Sequence, residues 1–143
     1  MPKRTIVTFG TYDLFHIGEL RILERAAALG DTLIVGVSSD ELTFVKKQAW
    51  PTMPFEDRTR IVAALRCVDQ VFEERSLELK RDYLIRYGAA VLVMGDDWRG
   101  KLDAFSDICS VVYLERTPDI SSTEIKERLR AADELSGIGT SGA

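Results

Sequence analysis

Short unbroken apolar runs alternate along this chain with stretches whose apolar residues recur every three or four positions. Residues 6–9, IVTF, form the first run and predict a buried strand. Leu20, Ile22, Leu23, Ala26, Ala27 and Leu29 then recur at helical spacing, which predicts a helix over 16–29 that Gly30 ends. Residues 32–38, TLIVGVS, are β-branched and almost wholly apolar, as suits a central parallel strand covered on both faces. Ser39, Asp40 and Glu41 can open a short helix, and 44–53 reads as an irregular loop carrying Lys46, Lys47 and Trp50. Pro54 fits the first position of a helix reaching 66, with Glu56 and Asp57 in its first turn. A strand over 68–72, a helix over 77–87 ended by Gly88 and a strand over 90–94 follow. The loop 95–100, a helical turn over 104–108 and a strand over 111–114 lead to a loop at 116–119 and a last helix over 121–132. Ser121 and Glu124 make a capping box for that helix. The small residues of 137–143, GIGTSGA, are expected to be disordered.

Strands alternating with helices predict an α/β domain with a five-stranded, mainly parallel sheet flanked by helices. Such sheets bind ligands beyond the C-terminal ends of their strands. The loops of interest each follow a strand: 10–15 the first, the Lys46 loop the second, 95–100 the fourth and 115–120 the fifth. Four separate parts of the chain can therefore meet at one site.

Length and charge narrow the choice of function. At 143 residues the chain suits one domain, expected over 1–131 with a flexible tail over 132–143. A formal net charge of −4 offers no broad basic surface for nucleic acid. Cys67 and Cys109 lack CxxC spacing and read as packing residues. No apolar run approaches a membrane span and no signal-peptide pattern precedes the first strand, so a cytoplasmic protein is expected.

The chemistry concentrates in Thr8-Phe9-Gly10-Thr11-Tyr12-Asp13-Leu14-Phe15-His16-Ile17-Gly18-Glu19. A strand here meets a helix N-terminus, whose free N–H groups and partial positive charge suit a phosphate. Gly10 has no Cβ and allows close backbone approach. Asp13 and His16, the one histidine, lie where a single phosphate-bearing ligand could meet both. No GxxxxGK[ST] occurs, so a P-loop enzyme is disfavoured.

This stretch resembles the signature of the HxGH nucleotidyltransferases, in the cytidylyltransferase branch that includes glycerol-3-phosphate cytidylyltransferase. Three further stretches carry the resemblance: Leu65-Arg66-Cys67-Val68-Asp69, the MGDDW of residues 94–98, and Arg116-Thr117 with Ile120-Ser121-Ser122-Thr123. Together they span nearly all of residues 4–130 in order. The last departs from the RTxGIST pattern by carrying Pro118-Asp119 before Ile120.

The resemblance implies a Rossmann-like fold, a homodimer, Mg²⁺, and transfer of CMP from CTP to glycerol 3-phosphate or a similar small phosphorylated polyol. CDP-glycerol and pyrophosphate would result, feeding teichoic-acid or capsule polymers. It implies that Phe9, Gly10, Thr11, His16, Gly18, Glu19, Asp97, Arg116, Thr117, Ser121 and Ser122 surround the nucleotide. Asp13, His16, Lys46 and Arg116 would serve the transfer, Asp13 through the metal or by orienting the acceptor. Lys46 fits the phosphate-facing lysine by its spacing from Asp40, and its neighbour Lys47 stays open for that role or for the acceptor. Arg66 and Asp69 either meet the acceptor or form a structural ion pair. Asp97 is the side chain of 94–98 expected to contribute, since cytosine presents an N4 donor.

One position departs from the family signature. Its second histidine adds a donor beside the triphosphate, and here position 19 is Glu. An ionised carboxylate cannot donate and repels phosphate. Glu19 could hold Mg²⁺, which reverses the sign of its effect, mark a changed or weakened activity, or be an engineered substitution. Losing one transition-state donor costs roughly 3–4 kcal/mol, which is on the order of a few hundredfold in rate. Glu19→His is therefore expected to turn over faster. The alternatives are another phosphorylated acceptor or ATP as nucleotide, and a non-catalytic nucleotide-binding module.

Overall fold

The computed structural model describes residues 3–116 and 126–133. Among them five strands form one sheet: β1 (Thr5–Gly10), β2 (Thr32–Ser38), β3 (Gln70–Glu74), β4 (Val91–Gly95) and β5 (Ser110–Leu114). Their order is β3-β2-β1-β4-β5 and every pairing is parallel. The chain builds outward from β1 to one edge and then returns to build outward on the other side. The reversal beside β1 leaves a crevice at the strand C-termini, where such sheets take ligands.

Successive side chains of each strand feed opposite faces. On one face Ile6, Leu33, Val35, Val91 and Val93 pack with Leu23 and Ala26 of α1 (Ile17–Ala27) and Val62 of α3 (Phe55–Ala63). On the other, Val7, Phe9, Leu92 and Met94 meet Tyr83 and Leu84 of α4 (Lys80–Arg86). Each such side chain, fully buried, contributes about 1.5–3 kcal/mol relative to exposure. A Cβ at Gly36 in β2 would lie 2.6 Å from Phe9 and 2.7 Å from Phe72, so the glycine makes room for that edge-to-face aromatic pair.

The second helix, α2 (Asp40–Lys47), corrects the expected loop at 44–53. Ser39 caps it by accepting from the Leu42 amide at 3.0 Å, and Leu42 and Thr43 are buried beneath it. Helix therefore continues through Lys46 and Lys47 and stops at Gln48, whose φ of 58° is left-handed. The two lysines sit in a helix's last turn rather than on an irregular loop. β3 begins two residues later than expected, because Val68 is spent packing into the core below it. Residues 77–79 form a 3₁₀ turn before α4, and 96–98 and 103–107 are 3₁₀ turns. Residues 126–133 are helical, and the expected start of that helix, its capping box and the tail beyond 133 lie outside the described residues.

Candidate nucleotide site

The C-terminal ends of the strands surround a cavity of about 360 Å³. β1 supplies Phe9 and Gly10, and the residues after it Thr11, Tyr12 and Asp13. α1 contributes Glu19, α2 Lys46 and Lys47, and β3 Glu74. Lys80 opens α4, Asp97 and Trp98 follow β4, and Arg116 follows β5. The structure thus brings together the four chain segments picked out above. With Lys101, the wall carries five cations, against a chain whose net charge is −4.

The loop after β1 is held in an unusual backbone shape. Tyr12 and Leu14 have φ of 56° and 51°, a left-handed region that costs L-residues energy. Gly10 serves this loop through its missing side chain: a Cβ there would lie 2.7 Å from the buried Tyr12 ring. Asp13 is 4% exposed. Its two oxygens accept the backbone N–H groups of Thr52 (2.7 Å) and Met53 (3.0 Å), and Lys126 lies 3.4 Å away. Burial alone would raise its pKa, but the two amides and the lysine outweigh that and hold it below the usual value. Through these bonds Asp13, the residue expected to act through the metal or by orienting the acceptor, ties the segment after α2 to the segment after β1. Among the described residues no three His, Cys, Asp or Glu side chains gather to hold a metal.

His16 caps α1, its Nδ1 accepting the Gly18 amide at 3.1 Å. That bond places the imidazole proton of the neutral ring on Nε2. It also engages the N–H of Gly18, a residue that the resemblance places around the nucleotide. Glu19, one helical turn inside, places Oε1 3.7 Å from His16 Nε2, beyond hydrogen-bond length. Oε1 is buried and has no hydrogen-bond partner among the described residues. Burial first, then the charge of Asp13, pushes the Glu19 carboxyl up to about 7, against the pull of the His16 backbone, Lys47 and Arg116.

Lys46 Nζ donates to Ser38 Oγ at 2.7 Å, and burial lowers its pKa to about 8. Lys47 is lowered too, again by burial first. On the outer side of α2, Phe44 and Trp50 stack at 4.7 Å, Trp50 being 60% exposed.

Arg66 and Asp69 are not at this site. The Asp69 carboxylate accepts the Leu33 N–H at 2.8 Å and its amide donates to the Leu33 carbonyl at 2.9 Å. Leu33 lies near the start of β2, at the opposite end of the sheet, so Asp69 fastens the entry to β3 there. Arg66 stands exposed on the same connection. Thr117, Ser121 and Ser122 lie outside the described residues.

Arg58, Glu74 and Lys80, like Lys101, escaped the sequence reading. Arg58, in α3, is wholly buried and donates to the carbonyls of Met53 (2.9 Å) and Thr11 (2.6 Å) and to Asp40 (2.7 Å). Glu74 and Lys80 form a buried pair at 2.5 Å. The Lys80 ammonium lies 4.2 Å from the Phe9 ring centre and 5.4 Å from that of Trp98, and Glu74 Oε1 has no partner among the described residues. Arg58 stands in the polar sequence EDRTR, where nothing marks it from its neighbours. Glu74 could have been found from its place at a strand's C-terminal end, had the end of β3 been known.

The profile of the cytidylyltransferase-like family matches residues 7–128, which takes in every pocket segment just described. The chain belongs to that family. Its relatives in the family include the glycerol-3-phosphate cytidylyltransferase of Bacillus subtilis (strain 168), 44% identical over 126 residues, covering 88% of this chain and 97% of that protein. The enzyme of the same name from Staphylococcus aureus (strain NCTC 8325 / PS 47) is 40% identical over 131 residues, covering 91% and 98%. A crystal structure of the lipopolysaccharide core biosynthesis protein from Thermoplasma volcanium GSS1 matches with a TM-score of 0.73 over 81% of this chain and 99% of that one. At 19% identity this likeness concerns the fold, and it agrees with the all-parallel sheet of this cytidylyltransferase-like chain. Among the described residues no helix is long and apolar enough to cross a membrane.

Proposed function

We propose that this chain transfers the cytidylyl group of CTP to glycerol 3-phosphate, releasing pyrophosphate and forming CDP-glycerol. The observation that carries the reading is near-full-length similarity, at 40–44% identity, to two glycerol-3-phosphate cytidylyltransferases. The cation-lined pocket at the sheet's C-terminal edge supports it. An oxygen of the acceptor phosphate attacks the α-phosphorus of CTP as the bond to the pyrophosphate oxygen breaks. That nucleophile is already ionised at neutral pH, so the site has no need of a strong base. Its task is to align two polyanions and stabilise charge on the transferring group. Lys46, Lys47 and Arg116 supply fixed positive charge and His16 Nε2 a hydrogen-bond donor. Arg58 and Asp13 hold the backbone of 11–13 and 52–53 in place beneath them.

Mg²⁺ is the proposed cofactor. The donor set suits an ion that arrives with the triphosphate, since Mg²⁺ keeps waters and phosphate oxygens where a protein offers no cage. Bound there, it neutralises part of the triphosphate charge. A homodimer in the cytoplasm is the proposed setting, supported by the family resemblance.

The test is pyrophosphate release from CTP and Mg²⁺ with a panel of phosphorylated polyols, with ATP in competition. Release specific to CTP and glycerol 3-phosphate is expected. Preference for another acceptor or for ATP would replace the substrate assignment. CTP binding without release from any acceptor would favour a nucleotide-binding module.

A further inference from the structure

Glu19 stands where a second donor to the triphosphate is expected, and its surroundings decide which form of the carboxyl can serve. Oε1 is buried and has no partner among the described residues, while the side chain reaches the wall of the pocket. His16 Nε2, 3.7 Å away, is too distant to hydrogen-bond Oε1 directly. Two groups at that spacing can share a third atom between them. An ionised carboxylate cannot share a phosphate oxygen, because both are acceptors. A protonated carboxyl can, because its O–H donates.

We propose that Glu19 works as a neutral carboxylic acid, donating a hydrogen bond to a phosphate oxygen that also accepts from His16 Nε2. The proton stays on Glu19 throughout: the group stabilises charge and transfers nothing. This rests on the reading of the pocket as a CTP site.

The groups around Glu19 pull in both directions. Burial and the negative Asp13 of the preceding loop favour the neutral acid. The His16 backbone at the helix start, Lys47 from α2 and Arg116 after β5 favour the ion. Tyr12, buried close by, keeps its phenol proton, since burial raises its pKa far above neutrality. The balance leaves Glu19 titrating at about 7, so both forms are populated near neutral pH. An arriving triphosphate adds negative charge, which further favours the neutral acid and draws a proton from solvent.

The decisive comparison is with Glu19→Gln, whose amide donates at every pH and keeps the shape. Calorimetry of CTP binding at pH 7.5, in buffers of different ionisation heat, reads proton uptake. The wild type is expected to take up roughly half a proton or more beyond Glu19→Gln. The nucleotide's own ionisation cancels in that difference. In turnover, the ratio of wild-type to Glu19→Gln kcat/KM is expected to fall about tenfold per pH unit above 7. Lys46 acts in both proteins and also cancels. Glu19→His is expected to exceed the wild type most at high pH, with the gap closing towards pH 6. Equal proton uptake in wild type and Glu19→Gln would overturn the proposal. So would a ratio that rises with pH, which would instead mark an ionised Glu19 holding Mg²⁺. Failure of both proteins to bind CTP would overturn the pocket reading, and this inference with it.

Discussion

The buried guanidinium of Arg58 donates to the Thr11 carbonyl across 2.6 Å, from a residue 47 positions further along the chain. The same side chain holds Met53 and Asp40, so one cation fixes the segment after β1, the start of α2 and the segment before α3. Arg58→Ala would leave two carbonyls and a carboxylate short of donors. The expected loss is about 3–5 kcal/mol of stability, as when one partner of a buried pair is removed. Urea unfolding measures it. Arg58→Lys keeps the charge without the fork, so CTP affinity is expected to fall even where the fold survives.

Lys46 makes nucleotide binding depend on pH. Burial disfavours its charged form and lowers its pKa to about 8, so the ammonium is charged below that value and lost above it. Loss of the Lys46 charge is expected to raise the CTP dissociation constant between pH 7 and 9, approaching about tenfold per unit at the upper end, in addition to the dependence that Glu19 brings. Lys46→Arg, charged throughout, should remove the Lys46 share of the slope and leave the share that comes from Glu19, while Lys46→Ala should bind weakly at every pH.

Asp13 couples two loops through its charge. Its folded-state pKa lies below the ordinary carboxylate value, so its contribution is complete above about 4 and disappears as pH falls through the lowered value. Asp13→Asn retains one acceptor oxygen for two amides. A loss of about 1.5–3 kcal/mol at pH 7 is expected, the range for hydrogen bonds to a charged group. The gap to the wild type should narrow in acid, which unfolding at a series of pH values would reveal.

The Glu74–Lys80 pair should be expensive to break and cheaper to remove. Lys80→Met strands a fully buried carboxylate, with an expected cost of about 3–5 kcal/mol. Adding Glu74→Gln should recover part of that loss. A double-mutant cycle gives the coupling, and simple additivity would contradict the pairing.

Apolar runs revealed the strands because a parallel sheet covered on both faces needs continuous Val, Ile and Leu, as in Ile6–Val7 and Val91–Leu92–Val93. The site segments were readable for the related reason that such sheets collect loops at one edge. The helix carrying Lys46 and Lys47 was missed because its hold on the core is local: Leu42 and Thr43 buried, Ser39 capping. Arg66 and Asp69, left open between the acceptor and a structural role, lie outside the pocket lining. In a parallel sheet the connection into a strand lies at the end opposite to the loops that leave one, so the position of these two just before β3 sets them away from the pocket loops. Arg58 and Lys80 look like surface charges in the sequence, and only their partners reveal that they are buried.

The two tryptophans give the protein a built-in optical reporter. Trp98 lines the pocket, with the ammonium groups of Lys80 and Lys101 at 5.4 and 5.9 Å from its ring centre. Trp50 sits outside, stacked on Phe44 and open to solvent. Indole emission responds to nearby charge and to the loss of water, so a polyanion entering the pocket alters Trp98. Trp50→Phe would leave a single emitter at the site. Arrival of nucleotide could then be followed without a label in rapid mixing, separating the moment of binding from the moment of bond formation.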